Sequence, residues 1–147
     1  MIWTAGVRAS HLGQALEAAT GCSVDRGGRV VVAPDFSIAS HPEIRIAGDL
    51  CSYSHTQDGH PLPGMAAPAK QAGSFIGKDI AAVVAGRPRP KFRYLDLGSM
   101  AIVDGSSAVA DLRGLKFSGL IGVLLWAGVH LGLIHDMQQR VSLATKW

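Results

Sequence analysis

Apolar positions along the chain change their spacing several times, and each change marks an element. Leu12, Leu16 and Ala19 recur at helical spacing, predicting a short helix over Ala9 to Thr20 that Gly21 caps. Before it, Ile2 to Thr4 read as the end of a strand broken at Gly6. After it, the tight turn Arg26-Gly27-Gly28-Arg29 separates Cys22-Ser23-Val24-Asp25 from the β-branched run Val30-Val31-Val32, which is the pattern of a hairpin. Pro34, Asp35, Ser40 and Pro42 mark a loop leading to a short strand, Ile44 to Ala47, that ends in Gly48-Asp49. Chemistry can sit at such a strand end. From Cys51 to Gly64 the polar composition with Pro61 and Pro63 predicts a surface loop. A helix of about twenty residues follows, from near Ala66 to Ala85, stopped by Gly86, Pro88 and Pro90.

Residues Phe92 to Asp111 alternate in places, as in Met100-Ala101-Ile102-Val103 and Ala108-Val109-Ala110, and predict a second hairpin turning at Asp104-Gly105. The pattern then becomes apolar without a period: Ser118 to His135 is eighteen residues free of Asp, Glu, Lys and Arg. As a helix it would be about 27 Å long, slightly short of the ~30 Å hydrocarbon layer. Arg113 and Lys116 precede it and Arg140 and Lys146 follow, so charge gives no inside-outside asymmetry and both ends suit one anionic surface. Met137, Val141 and Ala144 share a face beyond it, and Trp147 fits the headgroup level. The pattern predicts a monotopic anchor dipping into one leaflet. A buried core helix reads the same way, but the remaining chain offers little protein to cover one this apolar. Gly128 and Gly132 stand at a spacing that lets membrane helices pair, which leaves a homodimer open.

Composition narrows the function classes. The 147 residues are 48% hydrophobic and 17% charged, enough apolar surface to offset the entropy of ordering one domain-sized chain. Fourteen Lys and Arg against eleven Asp and Glu give a scattered net charge of +3, with no nucleic-acid recognition motif beside it. Cys22 and Cys51 are too few for a disulfide framework and too far apart for a C-x-x-C unit, and the pattern of Met1 to Gly6 is not the one expected of a secretory leader. Cys51, His55, Asp58 and His60 match no standard zinc spacing, so no metal site is expected. No P-loop and no Gly-x-Ser-x-Gly elbow occurs.

The order of several segments resembles type II NADH dehydrogenases, single-chain flavoproteins that pass electrons from NADH to quinone at a membrane surface. Ile2-Trp3-Thr4-Ala5-Gly6-Val7-Arg8 resembles the strand and turn returning from the NADH domain. His41-Pro42-Glu43-Ile44-Arg45-Ile46-Ala47-Gly48-Asp49 resembles the second flavin motif, and Leu62-Pro63-Gly64 through Gly73 the helix after it. Phe92-Arg93-Tyr94, Gly98 to Ala101, Ser107 to Ala110 and Leu125-Trp126 through Arg140-Val141-Ser142 are similar to the family's C-terminal region. The resemblance covers essentially the whole chain.

It implies an α+β fold: the C-terminal part of a flavoprotein with two dinucleotide-binding domains, carrying β-hairpins, a flavin-facing helix and a C-terminal membrane-anchoring helix. Residues 1–90 would complete the FAD-binding domain with the crossover from the NADH domain, and 91–147 would form the hairpin and anchoring region. Asp49 would accept hydrogen bonds from the ribityl hydroxyls of FAD, an apt role for an acceptor-only carboxylate, and Gly48 would let the backbone come close. Ala66 and Ala67 would open the helix whose N-terminus faces the flavin, where the positive dipole end favours negative charge. Ala67, Lys70 and Gln71 would meet quinone. Two departures stand out: Ala67 replaces the first glutamine of the family's Ala-Gln-x-x-x-Gln motif, and Asp104-Gly105-Ser106 replaces a turn that usually carries a cation.

No Gly-x-Gly-x-x-Gly turn occurs in the chain, and such turns seat both dinucleotide pyrophosphates in this family. The implied product is therefore the C-terminal third of an FAD-dependent NADH:quinone oxidoreductase, with a partial FAD site, no catalytic residue of its own, and NADH held by a missing N-terminal dinucleotide-binding portion. Alone it is not expected to turn over. Its partners would be quinone, the membrane lipid surface and that missing portion, on the cytoplasmic face of the cell membrane as a peripheral or monotopic protein. The alternative is a non-catalytic membrane-surface module, or a truncated remnant of such an enzyme.

Overall fold

The computed structural model describes residues 7–57, 59–104, 107–134 and 136–144. The strand expected at Ile2 to Thr4, the turn at Gly105-Ser106, and Asp58, His135, Lys146 and Trp147 lie outside them. The chain forms two compact units, the first running to Leu95 and the second starting at Asp96.

The first unit opens with α1, Leu12–Thr20, which Gly21 ends in the left-handed region while donating to the Glu17 carbonyl. The Asp25 to Arg29 turn is tied by one carboxylate: Asp25 Oδ1 accepts from the Gly27 and Arg29 amides, and Oδ2 from Arg29 Nε at 2.8 Å. The expected hairpin beyond it reduces to one antiparallel bridge, Val24 to Val30. Val30–Val31 (β1) pairs instead in parallel with Cys51–Ser52 (β4). Between them Ser37–Ile38 (β2) and His41–Arg45 (β3) form a small antiparallel pair, so the strand expected at Ile44 to Ala47 starts and ends earlier.

The core holds Val30, Val32, Ile38, Ile46 and a ring cluster centred on Phe36. Phe36 stacks on Tyr53 at 4.3 Å between centroids and meets Phe92 edge-on at 4.9 Å. Cys51, Tyr53 and Leu62 are all buried, which corrects the expectation of a surface loop over Cys51 to Gly64. The stretch around them is rich in Ser, His and Pro, so no local period reveals them.

Helix α2, Ala66–Val84, has the expected extent. Its buried residues, Pro68, Ala72, Phe75, Asp79 and Ala82, alternate four and three apart and form one stripe. The aspartate in that stripe is only 1% exposed. It survives there because Arg89 donates to both its oxygens, at 2.8 and 2.6 Å, while Arg45 lies 3.5 Å away. Asp35 closes the quartet, pairing with Arg45 at 2.5 Å and Arg89 at 2.6 Å. Burial pushes the Asp35 carboxyl up, but hydrogen bonds from Ser37, Arg45 and Arg89 outweigh it and hold the group well below the usual range. For Asp79 the Arg89 hydrogen bonds are the largest influence and lower it against burial.

The second unit is an antiparallel sheet of three strands, β5 (Ser99–Asp104), β6 (Ser107–Leu112) and β7 (Leu115–Ser118), joined to α3, Gly119–Leu133. The third strand is an addition to the expected hairpin. Its last residue, Ser118, is also the first of the uncharged segment, and Lys116 lies within the strand. Helix α3 packs on the buried Ala108 and Ala110 of β6, and a Cβ on Gly122 would overlap the Ala108 carbonyl, so glycine sets the closeness of that packing.

The apolar helix is shorter than the uncharged segment that predicts it. α3 has 15 residues, about 22 Å, and the chain becomes extended at Ile134 before α4, Met137–Ala144. Among the described residues no helix is long and apolar enough to cross a membrane. The eighteen uncharged residues extend beyond the helix at both ends because Ser118 closes β7 and Ile134 breaks the helical run.

Candidate functional site

In the first unit Gly48 and Asp49 lie in a 3-10 turn, Gly48–Leu50, which exposed Ala47 separates from buried Ile46. Gly48 takes φ +72°, a conformation that side chains disfavour, and a Cβ there would come within 3.8 Å of the Ala69 Cβ on α2. The glycine thus turns the chain and lets it approach α2. Asp49 is exposed, with Oδ1 3.5 Å from the position a Cβ on Gly64 would take, and it makes no hydrogen bond or ion pair among the described residues. An ionised carboxylate in that state has its acceptor sites free for a ligand's hydroxyls.

This turn and the start of α2 border one cavity of about 380 Å³, in the size range of small-ligand pockets. Gly48, Asp49, Arg29, Cys51, Pro68 and Ala69 are among its walls. Ala66 and Ala67 form the first turn of α2 between Met65 and Pro68, both of which border the cavity, while they themselves do not. No side chain caps this helix end. Pro68 has no amide hydrogen and the Ala69 amide bonds Met65 at 3.3 Å, so Ala66 and Ala67 supply the open donors.

Lys70 and Gln71, named for the quinone side, differ in their surroundings. Lys70 is exposed on α2. Gln71 is engaged within the protein: its Nε2 donates to the Leu95 carbonyl at 2.9 Å and its Oε1 accepts from the Leu95 amide at 3.0 Å.

Arg29 and Cys51 bring a cation and a thiol to walls that the sequence does not foretell. Arg29 comes from the Asp25 turn, where its pairing with Asp25 orients it, and nothing local signals that it reaches the cavity. Cys51 lines it as well, and nothing in its own stretch of sequence signals that. Burial pushes its thiol up to about 12, against a smaller downward pull from Arg29. Alkylation of Cys51 by iodoacetamide at pH 8 is therefore expected to run on the order of a thousandfold slower than for an unfolded control. Mass spectrometry of the modified peptide measures it, and equal rates would contradict the burial. No group of three or more metal-ligating side chains gathers among the described residues. His55 instead bonds the Val32 carbonyl at 3.0 Å and packs edge-on against Tyr53.

No family model matches the chain. Individual relatives do. Type II NADH:quinone oxidoreductase Ndh of Mycobacterium tuberculosis is 36% identical over 149 residues, covering 99% of this chain, and NdhA of the same organism is 34% identical over the same share. The chain is homologous to the type II NADH:quinone oxidoreductases. The enzyme of Staphylococcus haemolyticus is 30% identical over 80% of the chain. This chain spans 31% of the length of the two mycobacterial type II enzymes. A solved structure of NDH2 from Plasmodium falciparum in complex with NADH shares the fold, with a TM-score of 0.76 over 99% of this chain and 44% of that one, at 15% identity. The mixed helix and sheet arrangement thus matches part of that structure's fold.

Proposed function

We propose that the chain supplies part of the FAD site and the quinone-side helix of a membrane-surface NADH:quinone oxidoreductase, the missing portion contributing the rest of the flavin site and the NADH site. The observation that carries this is the meeting of the Gly48-Asp49 turn with the uncapped start of α2 at one cavity, in a chain homologous throughout to such enzymes. The residues present suit a flavin: a free carboxylate for polyol hydroxyls, a glycine that keeps the backbone close, and open helix donors beside small side chains. Bound there, FAD would accept hydride from NADH and deliver electrons to quinone.

The chain's own contribution is binding and electrostatics. Asp49 orients the ribityl chain by accepting its hydroxyl hydrogens. The amides of Ala66 and Ala67, with the positive end of α2, would favour negative charge on a flavin held there. Ala67 and Lys70 border quinone in this reading, with Gln71 behind them. Toward lipid, α3 leaves Leu120, Ile121 and Leu124 at 69%, 59% and 65% exposure, an apolar face suited to peripheral attachment on the cytoplasmic leaflet.

A chimera in which this chain replaces the matched segment of Mycobacterium tuberculosis Ndh tests the proposal. It is expected to hold a stable flavin absorption band, to reduce quinone with NADH, and to stay on phospholipid vesicles at high salt, because buried apolar area outlasts screened charge. The chain alone is expected to retain no stoichiometric flavin. A chimera folded but free of flavin would overturn the flavin assignment, and its release from vesicles by salt alone would overturn the apolar attachment.

A further inference from the structure

After α2 ends, residues 86–95 turn back along it and are held at three points. Arg89 bonds Asp79 at 2.8 and 2.6 Å, Phe92 meets Phe75 at 5.3 Å between centroids, and Leu95 meets Gln71 at 2.9 and 3.0 Å. The partners on α2 are four residues apart, so Asp79, Phe75 and Gln71 follow one another about a turn at a time on one side of the helix. On the returning segment they are three apart and in the opposite order. The strap therefore runs from the C-terminal end of α2 to its second turn. Its last fixed residue, Leu95, is also the last of the first unit.

We infer that Gln71 is a positioning residue: its carboxamide clasps the Leu95 backbone and fixes the point at which the chain leaves the first unit. A glutamine amide has one carbonyl and one NH₂, and here each meets the complementary group of a single residue, as a neighbouring strand would. Pairing both groups of one peptide residue leaves Gln71 a single amide hydrogen to offer elsewhere. This goes beyond the quinone reading, which assigns Gln71 to the substrate, and it holds with or without flavin. Lys70 beside it, exposed on the same turn, makes no such contact among the described residues.

Hydrogen exchange resolved at the Leu95 amide of the full chain tests the clasp. Gln71→Ala is expected to speed exchange there by about fivefold to tenfold, the weight of one lost hydrogen bond. Gln71→Asn is one methylene too short to reach and behaves like the alanine variant. Gln71→Glu keeps the acceptor for the Leu95 amide while losing the donor to its carbonyl, and falls between. Lys78→Ala, on an exposed position of the same helix, leaves Leu95 exchange unchanged. Trypsin is expected to cut faster after Arg93 in the alanine and asparagine variants, since Lys91 and Arg93 are the strap's basic residues not followed by proline. Amides of α2 at Phe75 and Ala82 keep their original rates. Unchanged Leu95 exchange in the alanine and asparagine variants overturns the inference, as does a uniform rise along α2, which marks general loosening. Neither result depends on whether the chimera binds flavin.

Discussion

Replacing Asp49 by alanine in the chimera is expected to weaken flavin binding by roughly ten- to a hundredfold, because hydrogen bonds to a charged acceptor contribute about 1.5–3 kcal/mol. The loss is read as flavin released on gel filtration and as a raised Kd in a fluorescence titration of the apoprotein. Asp49 is exposed and pairs with nothing among the described residues, so the thermal midpoint of the apoprotein should barely move. Asp49→Asn keeps one acceptor oxygen and belongs between the parent and the alanine variant. Flavin content equal in all three would separate the carboxylate from the cofactor altogether.

The second large effect concerns stability. Asp79→Ala removes the carboxylate that two arginines face in the core of the first unit, leaving Arg45 and Arg89 to share Asp35. The expected cost is about 3 kcal/mol in urea unfolding, the low end for breaking a buried pair, because Arg89 is 45% exposed and partly compensated by water. A change below about 1 kcal/mol would mean that the quartet contributes little beyond geometry. Acid should reveal the same group. Asp35 and Asp79 titrate lower in the folded chain than when unfolded, so their contribution is fully present above the unfolded carboxyl pKa of about 4. It is lost as pH falls through their depressed folded values. Stability of the parent should accordingly fall on acidification below about pH 4, and the fall should be shallower in Asp79→Ala, which has one such group fewer.

What the sequence disclosed depended on how local each cause was. Helix α2 is legible because its apolar stripe, its Gly86 stop and the following prolines all lie within the segment they define. Gly48-Asp49 stands at a turn that is visible locally, and the resemblance gives that turn a ligand. Asp79 reads on its own as a solvated helix residue, since the arginine that accounts for its burial is ten residues away and the other comes from β3. Gln71 is similar: its partner is 24 residues on, and no pattern within α2 points to it. Arg29 and Cys51 join the cavity because β1 and β4, paired as Val30 with Cys51 and Val31 with Ser52, lie side by side although distant in sequence. Strand β7 was hidden by its brevity, four residues whose alternation is shared by any charged flank.

The strap beside α2 has a further property in its Arg87-Pro88-Arg89-Pro90 run. Each proline fixes its own φ and steers the residue before it away from helical geometry, so this stretch is already nearly straight in the denatured ensemble. Arg89 is therefore carried toward Asp79 on a prestiffened rod, and docking surrenders less chain freedom than a flexible tether of equal length would.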